Sequence, residues 1–522
     1  MKKTIFLVLV FVQTAIVGVR AEETALDRYV AKPDPHYSFF QYHSEDKVLY
    51  KTYFLHMTSQ QWRFPDEVDR VLWEHDVMVT VPRLLISKSR TTAVLVVDGG
   101  GNDGPVPTDT NEQVASLAVA LGSVVAVVKQ IPNQPLAFRD EANRKREEDA
   151  ILAYSFDKFL VTGDEEWPVH LPMTKAVVRA MDTIQTLLAA KSITIANFIV
   201  TGASKRGWAT WLTAAVDSRI EAIAPASIDL LNIGEQNKHQ WEAYGFYPPA
   251  VSDYVDLDIP CRIQSARGAE LLKIVDPYAY RSRLTMPKFI ANSTGDQFFL
   301  PDASQFYFAD LPSPKLLRYS PNTDHAQSFD VLLSAAAWLE EILDDKSSPS
   351  FSWTFAPDGS IRVQTVTKPD KVRLWQATNP QARDFRLEAI GKVWTSSELQ
   401  DLGGGVYVGY VPPPATGWTA FLVELTFESA SVLEPAQVYT TDVRITPDTL
   451  PFAGTQCSDY LGFRSSWKRA LFQDASPFVA KPGGTSKAAS RADISRGLCL
   501  RRGAPSCVRD GTSDAPRDLS PK

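Results

Sequence analysis

The chain has 522 residues, and its 54 Lys and Arg against 61 Asp and Glu leave a formal charge of −7, a balance that gives no reason to expect a nucleic-acid surface. Its 44% hydrophobic and 11% aromatic residues are those of an ordinary globular protein and exclude a wholly disordered or fibrous chain. The length suffices for one large domain and one accessory domain.

Residues 1–21 read as a secretory signal peptide rather than as part of the fold. Lys2 and Lys3 supply a positive start, residues 5–19 are mostly apolar, and Val19-Arg20-Ala21 predicts cleavage after Ala21. The apolar run is short for a membrane span and is interrupted by Gln13 and Thr14, and no later segment reads as a span. The expected location is extracellular or within the secretory pathway. Cys261, Cys457, Cys499 and Cys507 are widely spaced and lack a zinc-site pattern. An oxidising compartment permits bridges, Cys499 to Cys507 among them, but spacing alone does not decide the pairing.

After a polar start, residues 47–61, 72–82 and 93–97 predict strands that open a sheet in antiparallel fashion. The third ends in the glycine loop Asp98-Gly99-Gly100-Gly101-Asn102-Asp103-Gly104. No Gly-Lys-Ser/Thr and no complete Gly-x-Gly-x-x-Gly accompanies it, so a nucleotide site is not expected. A helix over 111–121 and a strand over 123–131 begin an alternation of strand and helix. The charged, proline-marked stretch 133–172 reads as helical and mostly solvent-facing at the rim of the sheet, with a part in substrate entry as the alternative. Residues 175–191 place Val177, Val178, Met181, Ile184, Leu187 and Leu188 on one broad helical side.

The apolar run at 197–200 then meets Gly202-Ala203-Ser204-Lys205-Arg206-Gly207, followed by a helical stretch at 208–215. Strand, glycine-flanked serine and helix is the order that projects a hydroxyl from the end of a sheet. The second glycine stands one position later than in the common Gly-x-Ser-x-Gly elbow, and a plain helix cap is the competing explanation of the serine. Downstream, a strand over 286–292 runs into a turn ending at Asp296, and a strand over 315–319 leads to His325. A serine needs an imidazole to accept its proton, and the imidazole needs a carboxylate to hold its tautomer. Ser204, Asp296 and His325 occur in the chain order expected of an α/β-hydrolase. Asp229, after a strand over 220–226, is the rival acid, with Asp302 and Asp324 behind it. The amide of Gly100 or Gly101 and that of Lys205 are the expected oxyanion donors.

The insertion 230–284 reads as a helical lid. Its aromatic and polar residues include Trp241 and Tyr244, candidates for substrate binding, although aromatics that merely bury one another explain them equally well. A helix over 326–343 closes a hydrolase-like domain of residues 22–346. Short alternating strands over 347–462 predict an accessory β-sandwich, immunoglobulin-like in architecture. The remainder, 463–522, is rich in Ser, Arg, Ala, Gly and Pro and predicts disorder. The fold class is thus α/β: a mostly parallel sheet with a lid insertion, plus a β module.

Several segments together resemble the PhoPQ-activated pathogenicity-related family. They are Trp73-Glu74-His75, the loop Gly99 to Asn102, the stretch from Val200 to Trp211 around Ser204, Asn292 to Asp296, Val372 to Ala377, and Arg383 to Arg386. The similarity runs from about Tyr29 to Leu461. It implies an α/β-hydrolase-like domain with a C-terminal β-rich module, in a family that includes secreted eukaryotic proteins. The resulting expectation is a secreted serine hydrolase acting on a small-molecule ester or peptide, without metal or organic cofactor. The alternative is a secreted signal controlling proliferation or movement through a cell-surface receptor.

Overall fold

The computed structural model describes residues 23–86, 90–428 and 435–455. The signal segment, the 463–522 tail, Cys457 and the Cys499–Cys507 pair lie outside the described residues. Cys261 is disulfide-bonded.

The chain begins with α1 (Ala25–Ala31) and strands β1 (Ser38–Asp46), β2 (Tyr50–Gln61), β3 (Leu72–Pro82) and β4 (Thr92–Val97), then α2 (Glu112–Leu121) and β5 (Val125–Val128). A small hairpin, β6 (Leu136–Ala137) and β7 (Lys145–Arg146), precedes α3 (Asp149–Thr162) and α4 (His170–Ala189). Next come β8 (Asn197–Ala203), α5 (Lys205–Val216) and β9 (Ile220–Ala226). The insertion holds α6 (Ile233–Tyr244), α7 (Ser252–Asp256), α8 (Ile259–Arg262) and α9 (Ala266–Val275), after which β10 (Lys288–Ser293), β11 (Lys315–Ser320) and α10 (Phe329–Leu343) complete the α/β part.

One nine-stranded sheet runs in the order β1-β2-β3-β5-β4-β8-β9-β10-β11. Pairing is antiparallel from β1 to β5 and parallel from β5 onward. The parallel strands are apolar on both faces because helices cover both. Thus Ala93, Leu95 and Val97 of β4 enter one core with α3, α4 and α5, whereas Val94 enters another with α2 and α10. The six residues singled out on α4 are all buried. Strand β1 has no counterpart in the sequence reading, since its polar, charged residues stay largely exposed at the sheet edge, as edge strands require. With it counted, β9 and β10, which flank the lid insertion, are the seventh and eighth strands of this sheet in chain order.

The stretch 133–172 is not mostly solvent-facing. Residues 151–156 and Phe159 of α3 are buried, because the insertion closes over the helix. Tyr254 Oη donates to Asp149 Oδ1 at 3.0 Å, and Arg262 binds Asp157.

The C-terminal part forms β12 (Phe351–Phe355), β13 (Ile361–Thr365), β14 (Lys371–Asn379), α11 (Leu387–Ile390), β15 (Thr395–Glu398), β16 (Val406–Gly409), β17 (Trp418–Phe427), β18 (Gln437–Thr440) and β19 (Arg444–Thr446). These strands make two antiparallel sheets, β12-β13-β16 and β15-β14-β17-β18, with β19 also on β17. Their core is continuous with that under α10: Phe289 and Trp338 cluster with Phe427 and Tyr439. Tyr319 N donates to Thr440 Oγ1 at 2.9 Å, and Arg318 pairs with Glu424 at 3.1 Å.

Candidate active site

Ser204 stands between β8 and α5 with φ 56° and ψ −128°, a strained conformation for a residue with a Cβ. Its side chain caps nothing in α5, so the helix-cap explanation fails. The two glycines permit the turn by close approach. A Cβ on Gly202 would lie 2.8 Å from the carbonyl carbon and oxygen of Arg206, and one on Gly207 would lie 2.9 Å from Gly202 O and 2.8 Å from Ile228 Cγ2. The displaced second glycine therefore marks where the first turn of α5 folds back on β8. Gly202→Ala is expected to cost about 2 kcal/mol and to slow modification of Ser204. Denaturant unfolding and labelling rates check the two effects.

The loop after β10 delivers Asp296, and the loop after β11 delivers His325. His325 Nε2 lies 2.8 Å from Ser204 Oγ, and its Nδ1 lies 2.8 Å from Asp296 Oδ2. A carboxylate only accepts, so Nδ1 carries the proton and Nε2 is the acceptor for the serine hydroxyl. Asp296, 3% exposed, also accepts from Phe298 N at 2.7 Å through Oδ1. His325 is held through its backbone: Ser227 Oγ donates to its carbonyl at 2.7 Å, and its amide donates to Gln297 Oε1 at 3.2 Å. The Phe298 ring lies 4.4 Å from the imidazole, centroid to centroid.

The rival acids are occupied elsewhere. Asp302 accepts from Arg383 at 2.6 Å and pairs with His239 at 3.0 Å. Burial would raise it, but the Arg383 and His239 charges prevail and hold it well below the usual range. Asp324 caps its own loop by accepting from Ala326 N at 3.0 Å. Asp229 is buried beneath Tyr307, whose hydroxyl donates at 2.7 Å, and Tyr319. Burial pushes it up to about 8 against the lowering effect of the two hydroxyls. A carboxyl raised on folding binds more protons in the native state, so its stabilising contribution is present below about pH 4 and is lost as pH rises through about 8. Asp229→Asn removes that titration. Its stability relative to wild type is expected to improve by roughly 1 kcal/mol per pH unit across this window, read as melting temperatures between pH 5 and 8.

Lys205 occupies the first position of α5, where an N–H has no intrahelical acceptor. Its ammonium is taken by Asp149 at 2.7 Å and Glu148 at 3.1 Å. Gly100, with φ 127°, lines the groove beside Ser204 and His325. Gly101 does not; it faces the Gln134 carbonyl. The Arg206 guanidinium covers Gly99 and grips Glu148 with two hydrogen bonds of 2.8 and 2.7 Å. Burial opposes ionisation of Glu148, but Arg206 and Lys205 outweigh it and bring its pKa down to about 2. This clamp of the serine turn to the start of α3 escaped the sequence reading, since nothing local pairs residues so far apart.

Trp241 and Tyr244 do not line the site cavity. Trp241 packs on Tyr247 and Val255 and donates to Thr455 Oγ1 at 2.8 Å, and Tyr244 packs with Ala243 and Leu300. The cavity receives the other face of α6, carrying Ile233, Gln236, Asn237 and Gln240. That i, i+3, i+4, i+7 spacing is the signal that identifies the face. Among the described residues no helix is long and apolar enough to cross a membrane.

The family model described as PhoPQ-activated pathogenicity-related protein matches residues 26–386. Autocrine proliferation repressor protein A from Dictyostelium discoideum is 34% identical over 465 residues, covering 84% of this chain and 93% of that protein. Among solved structures, acetyl xylan esterase 1 from Thermoanaerobacterium sp. JW/SL YS485 is 14% identical, with 61% of this chain and 92% of that one covered and a TM-score of 0.43. A glucuronoyl esterase from Solibacter usitatus is 13% identical over 61% of this chain and 91% of its own, with a TM-score of 0.35. The order of strands, rather than these distant likenesses, carries the α/β-hydrolase-like assignment.

Proposed function

From the premise that this chain belongs to the PhoPQ-activated pathogenicity-related protein family, we propose that it is a serine hydrolase cleaving an ester or peptide bond. The observation that carries this reading is the unbroken hydrogen-bonded line Ser204–His325–Asp296 at the carboxyl ends of parallel strands. Ser204 Oγ attacks the carbonyl carbon while its proton passes to His325 Nε2. The oxyanion is held by the amides of Lys205 and Gly100, and Asp296 stabilises the imidazolium. His325 then protonates the leaving group, and water repeats the sequence on the acyl-serine. A serine-directed fluorophosphonate tests the proposal. Mass spectrometry is expected to find one adduct on Ser204, and a folded protein that takes no label, or takes it elsewhere, refutes the assignment.

The protein is read as secreted, on the strength of its first 21 residues and of the disulfide at Cys261. A second reading, an extracellular regulator of proliferation acting through a receptor, draws on the name of the Dictyostelium relative. Full potency of a Ser204→Ala protein in a proliferation assay favours that role independently of catalysis.

A further inference from the structure

Cys261, on α8, is disulfide-bonded, and the chain offers it three partners, Cys457, Cys499 and Cys507. The surroundings of α8 distinguish them. Asn237 of α6 donates through Nδ2 to the carbonyl of Pro260 at 2.7 Å, which seats the residue before Cys261 against that helix. Val255 of α7 packs on Trp241, and two short turns join it to α8: Asp258 N donates to Val255 O at 3.1 Å, and Cys261 N to Asp258 O at 3.2 Å. Asn237 and Trp241 stand one turn apart, so their side chains are neighbours on α6, about 6 Å apart along its axis.

The chain beyond β19 arrives at the same place. Phe452 N donates to Glu242 O at 2.9 Å, and Gly454 N to Glu242 Oε1 at 3.3 Å. The Phe452 ring covers Gly245, where a Cβ would lie 2.6 Å from it. Thr455 Oγ1 then accepts from Trp241 Nε1 at 2.8 Å. Cys457 follows two residues later, within about 7 Å of chain, and a disulfide requires Cα atoms roughly 4.4–6.8 Å apart. Cys499 and Cys507 stand more than forty residues beyond Thr455, so this anchor does not place them.

We infer that Cys261 and Cys457 form this disulfide and that it straps the lid. Ile259, Pro260 and Ile263, on either side of Cys261, line the cavity that Ser204 shares, so the bond fastens one wall of that cavity to the chain past β19. It forms by exchange with an external disulfide, the oxidant of an oxidising compartment. One cysteine thiolate attacks that disulfide, giving a mixed disulfide and releasing one thiol. The second thiolate attacks the mixed disulfide, closes the Cys261–Cys457 bond and releases the other thiol. Two protons and two electrons thereby pass from the cysteines to the oxidant.

Trypsin divides the four cysteines among four peptides, residues 239–262, 445–464, 497–501 and 503–509. Mass spectrometry of the full chain, expressed through an oxidising secretory route and digested without reductant after free thiols are blocked, therefore reads the pairing directly. The expected species joins 239–262 to 445–464 and separates on reduction. Peptide 239–262 joined to either later peptide, or recovered with a blocked thiol, overturns the inference. Amide hydrogen exchange tests the strap. Cys457→Ser is expected to quicken exchange across 252–263 by about tenfold or more while β8 is unaffected. Wild type reduced by a phosphine in native buffer gives the same comparison where the variant does not accumulate. Unchanged exchange across 252–263 refutes the strap even where the linked peptides are found. Neither readout depends on catalysis, so a failure here leaves the hydrolase reading untouched.

Discussion

Replacing Ser204 with alanine is expected to abolish fluorophosphonate labelling and to lower hydrolysis of any accepted ester by at least about 10⁴-fold in kcat. The predicted loss is large because Ser204 Oγ is the only described hydroxyl within hydrogen-bond distance of His325 Nε2, so no neighbouring nucleophile inherits the proton acceptor. Stability should scarcely change. The hydroxyl caps no helix, and the turn is held by backbone contacts, Ser204 N to Ala226 O at 2.8 Å and Trp208 N to Ser204 O at 3.0 Å. A melting temperature near that of wild type, together with lost labelling, separates chemistry from folding. A variant that labels normally removes Ser204 from the role.

Asp296→Asn is expected to reduce turnover by roughly 10³- to 10⁴-fold while leaving the side chain's shape intact. The reason lies in the two partners of this carboxylate. Phe298 N–H requires an acceptor on one side, which pins the asparagine oxygen there and turns its NH₂ toward His325 Nδ1. Facing a donor, Nδ1 must accept, and the imidazole proton moves to Nε2. Nε2 then donates toward Ser204 instead of receiving its proton. The opposite orientation leaves the Phe298 amide facing a second donor, a cost of about 1–3 kcal/mol. Kinetics of a nitrophenyl ester with imidazole ¹⁵N shifts as the second readout check both halves, and retention of the Nδ1–H tautomer with undiminished turnover sinks the argument. Asp229→Asn provides the contrast, since that carboxyl lies against Tyr307 and Tyr319 rather than His325 and its replacement should act on stability and its pH dependence.

Much of this was legible along the chain because the signals are local. Strand β9 follows from a short run, apolar except for Glu221, bounded by turns, and α4 from six apolar positions at helical spacing that are all buried. The glycines around Ser204 announce a backbone approach that a Cβ would block. Errors arose where the deciding partner is remote. Strand β1 carries no hydrophobic alternation because at the sheet edge neither of its faces is fully buried. The polar stretch before α4 looked solvent-facing because the helices that bury it come about a hundred residues later. Trp241 and Tyr244 have the composition of a binding site, yet the neighbours of α6 turn them toward Tyr247 and Leu300 instead.

Periodicity, turn chemistry and the order of serine, acid and histidine by themselves determined the alternating architecture and the three residues worth bringing together, because each depends on neighbours a few positions away. Only the folded chain decided which aspartate reaches the imidazole, which glycine faces the groove, and that Glu148 and Asp149 clamp the turn after Ser204. It also decided which side of α6 meets the cavity. Those choices depend on crossovers between strands and on side chains that meet from distant segments, and spacing along a polypeptide does not encode such distances.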